Sequence, residues 1–83
     1  MAPEIRFTAG QLLRGYRTRA GLTLQAASEA CSPAMSSRTI QRIEKGKDIT
    51  HAELAILARA LGLSDEEIDC VHDAAMAEAG GGQ

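Results

Sequence analysis

Aromatic residues are scarce in this 83-residue chain, which has one Phe, one Tyr and no Trp. Its hydrophobic share of 45% therefore depends largely on alanine and leucine, a bias that favours helices over sheets. Cys31 and Cys70 are the only cysteines, so a secreted scaffold framed by disulfides is not expected. No apolar run approaches the roughly 20 residues of a membrane span, and residues 1–4 do not resemble a secretory signal. We expect one soluble, all-helical, cytoplasmic domain without membrane contact.

Acidic and basic residues are divided unevenly along the chain, although the net charge is only −2. Residues 1–47 contain eight basic and three acidic residues, whereas residues 48–83 contain one basic and eight acidic residues. This division is typical of a protein that meets a polyanion on one face, but short domains also segregate charge by chance. Charge alone leaves nucleic-acid binding open.

Five segments carry the signals of helix starts. Thr8, Thr50 and Ser64 are each followed three residues later by Gln or Glu, the capping-box pattern, with apolar residues flanking the cap. Thr23 and Ser36 are weaker caps of the same kind. We predict helices near residues 9–20, 24–31, 37–45, 51–61 and 65–78, with 1–7 as an N-terminal arm, 8–79 as the folded domain and 80–83 as a flexible Gly-rich tail.

Apolar spacing gives each predicted helix one inner face. The first face ends at Ala20, and the third consists of Ile40 and Ile43. At about 100° per residue, the polar side chains of the third helix lie about 180° from the two isoleucines. These polar side chains are Arg38, Gln41, Arg42 and Lys45. Such side chains suit the base edges of the major groove, although a solvated helix face has the same composition.

The order of these segments resembles a known family. The resemblance rests on Leu13-Arg14-Gly15-Tyr16-Arg17, Ala20-Gly21-Leu22-Thr23, the run from Ser36 to Lys47, and Leu57-Ala58-Arg59-Ala60-Leu61-Gly62-Leu63. Over about residues 9–69 the chain is similar to the Cro/CI-type, or Xre-like, helix-turn-helix family. The resemblance implies a compact five-helix bundle of the lambda-repressor-like type, whose third helix enters the major groove of double-stranded DNA.

The resemblance also implies a role for individual residues. The residues expected to contact base edges are Ser37, Arg38, Gln41 and Arg42. A structural ion pair joins Arg17 to Glu44. Since Arg17 is thereby assigned to structure, the other basic residues are left to contact phosphate. The expected phosphate contacts are Arg14, Arg19, Gln25, Lys45 and Lys47.

Two features depart from the family pattern. The link from Cys31 to Met35 is two residues longer than usual, and Pro33 within it should prevent the second helix from continuing. Leu24 stands where the family usually has a phosphate-binding glutamine, so we expect Gln25 to substitute from another direction. Both departures bear on how the third helix meets DNA.

Catalytic, cofactor and metal sites are not predicted. Cys70 and His72 are two residues apart on a helix and point in different directions, while Cys31 and His51 are distant in sequence. Burial as a small apolar group is the better interpretation of Cys31. The acidic cluster that begins at Asp65 complements the positive end of a helix dipole and needs no catalytic explanation.

Two functions remain open. The first is a sequence-specific DNA-binding regulator, a repressor or autoregulator that binds a palindromic operator as a homodimer. Its expected dimer surface on the fifth helix, for which core packing is the alternative, is Ile68, Val71, Ala75 and Met76. The second is a protein-interaction module on the same fold, of the antitoxin or antirepressor type, whose acidic C-terminal half binds a protein partner.

Overall fold

The computed structural model describes residues 7–80, with side chains up to residue 78, and this part of the chain contains helices and no strand. The helices are α1 (Ala9–Arg19), α2 (Leu24–Ala30), α3 (Ser37–Glu44), α4 (His51–Leu61) and α5 (Asp65–Gly80). The all-α prediction is confirmed. Residues 1–6 of the expected arm and 81–83 of the expected tail lie outside the described residues. No helix between residues 7 and 80 combines the length and apolar character needed to cross a membrane.

Reciprocal caps begin three of the helices. At α1, the Gln11 N–H donates to Thr8 Oγ1 at 3.1 Å and the Thr8 N–H donates to Gln11 Oε1 at 2.9 Å. The same exchange occurs at Thr50 with Glu53 and at Ser64 with Glu67. These bonds satisfy backbone donors that would otherwise be free, which is why the starts are readable from sequence.

The core takes side chains from all five helices. Leu13, Ala27, Ile43, Leu57 and Val71 are each at most 2% exposed and come from α1 to α5 in turn. Helix α3 packs against α1 and α2, α4 packs against α2, and α5 packs against α1 and α4. One expected core position is wrong, because Ala20 is exposed as the residue that caps the end of α1.

Helix α5 runs antiparallel to α1 and is bonded to both of its ends. The carboxylate of Glu78 accepts a hydrogen bond from the Ala9 N–H at 3.0 Å, at the start of α1. At the other end of α1, Arg19 forms a salt bridge with Glu67. The acidic C-terminal helix is therefore held against α1 at both ends.

Gly10 brings the start of α1 unusually close to the end of α3. A Cβ atom at this position would collide with the carbonyl oxygen of Ile43 and lie 2.8 Å from that of Glu44. Both obstacles are backbone atoms, which cannot move aside as a flexible side chain can. The absence of a side chain at Gly10 thus sets how deeply α3 is seated on α1.

Candidate nucleic-acid interface

Helix α3 presents two unlike faces. Ile40 and Ile43 are 2% and 1% exposed and anchor the helix in the core. The polar face opposite them is exposed at Arg38, Gln41, Arg42 and Lys45, and Ser37 is half-buried in the first turn. The Ser36 side chain caps this helix by accepting the Thr39 N–H at 3.1 Å. A short, capped and firmly anchored helix therefore holds its polar face towards solvent.

No acidic side chain of the described residues forms a salt bridge with the basic residues on this face. Among residues 7–78, the salt bridges join Arg17 to Glu44, Arg19 to Glu67 and Lys47 to Glu53. Arg38, Arg42 and Lys45 take part in none of them. The two guanidinium groups and the ammonium group are thus available to an external anion.

Arg14 extends the polar face from α3 onto α1. It shares a shallow depression with Gln41 and Lys45, and the depression is also lined by Leu24. Leu24 is the position at which the family resemblance implies a phosphate-binding glutamine. Gln25, the expected substitute, is exposed, and its amide donates to the Glu29 carboxylate at 3.3 Å.

Arg17 of α1 and Glu44 of α3 form a bidentate salt bridge that joins the two helices. The Arg17 Nε donates to Glu44 Oε2 at 2.7 Å, and Nη2 donates to Oε1 at 3.0 Å. The third donor, Nη1, binds the Leu22 carbonyl oxygen at 2.8 Å. The side chains are only 14% and 7% exposed, and the hydrogen bond to Glu44 raises the pKa of Arg17. The pair holds the end of α3 and the loop after α1 together.

Arg19 is engaged by other residues of the chain, and its expected contact with phosphate stays a prediction. Its guanidinium pairs with Glu67 and stacks over the Tyr16 ring at 4.9 Å from the centroid. The same hydrogen bond lowers the pKa of Glu67 to about 2. Lys47 is also partly engaged, since its Nζ lies 3.3 Å from Glu53 Oε2. Of the basic residues expected to contact phosphate, Arg14 and Lys45 are the least committed to other described residues.

The long link between α2 and α3 is anchored at both ends. Helix α2 ends at Ala30, and Cys31 and Met35 are each buried at 8% exposure. The Ser28 hydroxyl donates to the Met35 carbonyl oxygen at 2.6 Å, which ties the link back to α2. Burial raises the pKa of the Cys31 thiol, in keeping with its place in the core. Residues 32–34 of this turn are exposed and lie between the two buried residues.

The residues expected to form a dimer surface on α5 divide between core and exterior. Val71 is 0% exposed, so it packs within its own chain and has no surface to offer a second one. This corrects the expectation for Val71. Met76 is 61% exposed, and Ile68 and Ala75 are half-buried.

Two histidines that are distant in sequence lie close together, a contact that was not predicted from the sequence. His51 and His72, from α4 and α5, place their ring centroids 5.3 Å apart with an angle of 43° between the ring planes. The sequence gives no sign of this contact, because the proximity of the two imidazole rings depends on how α4 packs against α5. Among the described residues, no group of three or more His, Cys, Asp or Glu side chains could hold a metal ion.

Comparison with known proteins identifies the helical arrangement. A family model described as a helix-turn-helix domain matches residues 8–70, a range that includes α1 to α4 and the start of α5. No curated protein and no solved structure matches the chain. Families of this kind are typically DNA-binding regulators rather than enzymes. Because the match spans most of the sequence, the chain belongs to the helix-turn-helix domain family.

Proposed function

We propose that the chain is a sequence-specific DNA-binding transcriptional regulator that acts as a repressor or autoregulator in the cytoplasm. The observation that carries this proposal is the orientation of α3, whose isoleucines are buried while Arg38, Gln41 and Arg42 face solvent. The major groove of B-DNA is about 12 Å wide and admits an α-helix presented in this way.

The exposed side chains of α3 match the chemistry of base edges. A guanidinium meets the two acceptors of guanine bidentately, which is the role we assign to Arg38 and Arg42. The amide of Gln41 matches the donor and acceptor of adenine, and we assign Ser37 to a base or a phosphate. We assign the remaining contacts, which position the protein on the backbone, to Arg14, Gln25, Lys45 and Lys47.

A homodimer on a palindromic operator completes the proposal. One domain with one recognition helix covers one half-site, and two-fold symmetry in the protein then matches two-fold symmetry in the DNA. We assign the contact between copies to Ile68, Ala75 and Met76, which retain exposed apolar surface on α5. In this arrangement the acidic surface of α5 is not required to approach DNA.

The decisive experiment selects bound fragments from a random DNA pool and then compares variants on the selected site. We expect Arg38→Ala or Arg42→Ala to lower affinity roughly 5- to 150-fold, because each loses a bidentate contact worth about 1–3 kcal/mol. Both side chains are exposed, so the free energy of unfolding should change by no more than about 0.5 kcal/mol.

The matched control is Arg59→Ala, which removes an exposed arginine from α4 rather than α3. This variant should bind the selected site nearly as the wild type does. Affinity of the wild type should also fall steeply as salt concentration rises, because phosphate contacts release counterions. The proposal is overturned if Arg38→Ala and Arg42→Ala bind the selected site as tightly as the wild type.

A second function is favoured by one observation on α5. Asp65, Glu66, Asp69 and Asp73 are exposed and form no salt bridge with another described residue. Such a surface suits a basic protein partner, as in an antitoxin or antirepressor. If the selection enriches no DNA sequence, this protein-interaction module becomes the better account of the chain.

A further inference from the structure

Two imidazoles meet in the groove between α4 and α5. His51 is the first residue of α4 and His72 lies in the middle of α5, and their ring centroids are 5.3 Å apart. Both rings line the same two adjoining cavities, together with Leu54. In a single chain the larger cavity opens to solvent and measures about 560 Å³, so a hydrated ion can reach the rings before two copies meet. The same two cavities are also lined by the residues that we assign to the contact between copies, Ile68, Ala75 and Met76.

Within the part of the chain that the structure describes, the ring nitrogens of His51 and His72 have no hydrogen-bond partner. Neither histidine side chain donates or accepts a hydrogen bond among the described residues. A neutral imidazole has one nitrogen with a free lone pair, which binds zinc, copper or nickel. Each ring therefore has a donor atom to offer.

The spacing of the two ring centroids is compatible with coordination of one ion by both rings. Zinc binds histidine nitrogen at about 2.0–2.1 Å and prefers tetrahedral angles, which places the centroids of two coordinated rings about 5 Å apart. The observed 5.3 Å is close to this value. Asp69 lines the same groove one turn before His72 and adds negative charge near the rings.

We propose that His51 and His72 bind a divalent transition-metal ion of the zinc type, which bridges the start of α4 and the middle of α5. Since no third protein ligand completes the cluster among the described residues, water occupies the other coordination positions. The bound ion links two helices that are distant in sequence, and it lies outside the polar face of α3. The proposal does not rest on DNA binding.

Thermal unfolding of the full chain in the presence of zinc chloride tests the site. At a free zinc concentration of ten times the dissociation constant, the melting temperature should rise by about 5–10 °C. Nickel chloride should also raise it, whereas magnesium chloride should not, because magnesium prefers oxygen ligands. Isothermal titration calorimetry should give one zinc ion per chain, and EDTA should reverse the shift.

Variants identify the ligands. His51→Ala and His72→Ala should each lose the zinc-induced shift, measured against the same variant without metal so that any effect on folding cancels. Cys70→Ser is the matched control, because Cys70 is an exposed thiol on α5 that also has affinity for zinc. This control should keep the full shift. The proposal is overturned if zinc raises the melting temperature of either histidine variant as much as that of the wild type.

Discussion

Gln41 and Lys45 lie about one turn apart on the exposed face of α3, and we assign them different contacts with DNA. In this assignment the uncharged Gln41 reads a base edge, whereas Lys45, which follows the last residue of the helix, neutralises a phosphate. A base contact and a phosphate contact change different measured quantities. The two assignments can therefore be separated by experiment.

We expect Gln41→Ala to relax the preference for one base position while leaving the salt dependence of binding unchanged. Lys45→Ala should weaken binding to all sequences by a similar factor and reduce the slope of log affinity against log salt by about 1. Binding of each variant to the selected site and to single-base variants of it, across a salt series, measures both effects. Equal weakening on every sequence in Gln41→Ala would contradict its assignment to a base.

Three arginines of α1 show what sequence spacing reveals and what it does not. The pairing of Arg17 with Glu44 was expected from the family resemblance, and the two side chains lie in a bidentate contact. The partner of Arg19 could not be anticipated, because Glu67 lies 48 positions away and meets Arg19 only when α5 packs on α1. Arg14, on α1, shares a depression with Gln41 of α3, which also depends on how the helices pack. The spacing of residues in the sequence identifies the face of the helix on which a side chain lies. The residue that this side chain contacts depends on how the helices pack.

The starts of the helices were predictable because their causes are local. Thr8, Thr50 and Ser64 bind backbone groups only three residues ahead, so a short pattern contains the whole interaction. By contrast, the close approach of α1 and α3 at Gly10 leaves no local signature, since a glycine inside a predicted helix looks merely unfavourable. The contact of His51 with His72 was missed for a similar reason.

Gly10 and Gly15 lie in the same helix but should respond oppositely to alanine. At Gly10 a Cβ would meet the backbone of α3, so Gly10→Ala should destabilise the protein by about 1–3 kcal/mol. At Gly15 nothing lies within 4 Å of the added atom, so Gly15→Ala should stabilise it by about 0.5–1 kcal/mol through its better helix propensity. Urea unfolding followed by circular dichroism measures both. A Gly10→Ala variant as stable as the wild type, or more stable, would show that the close approach of α1 and α3 is not rigid.

Across the whole molecule, charge is separated by the way the helices pack. Acidic α5 is bonded to α1 and packs against α4, while the basic face of α3 lies on the side of α3 opposite its buried isoleucines. This arrangement explains how a chain with a net charge of −2 can present a cationic surface. It also leaves apolar surface on α5 that DNA does not cover in the proposed complex.

Met76 and Phe7 allow a direct test of which apolar surface joins two copies. They are almost equally exposed, at 61% and 60%. Met76 lies with Ile49, His72 and Ala75 on the α4 side of α5, whereas Phe7 lies in a different groove with Leu12 and Cys70. A charge placed at a buried dimer contact is strongly unfavourable, while the same charge on a free surface has little effect.

We therefore expect Met76→Glu to shift the protein from dimer to monomer in sedimentation equilibrium, without changing the helical circular dichroism signal. Binding to a DNA fragment with one half-site should be retained, but the gain in affinity from a second half-site one helical turn away should disappear. Phe7→Glu, the control, should keep both the dimer and that gain. If Phe7→Glu dissociates the dimer and Met76→Glu does not, the two copies meet through the groove beside α1, and the assignment of Ile68, Ala75 and Met76 is wrong.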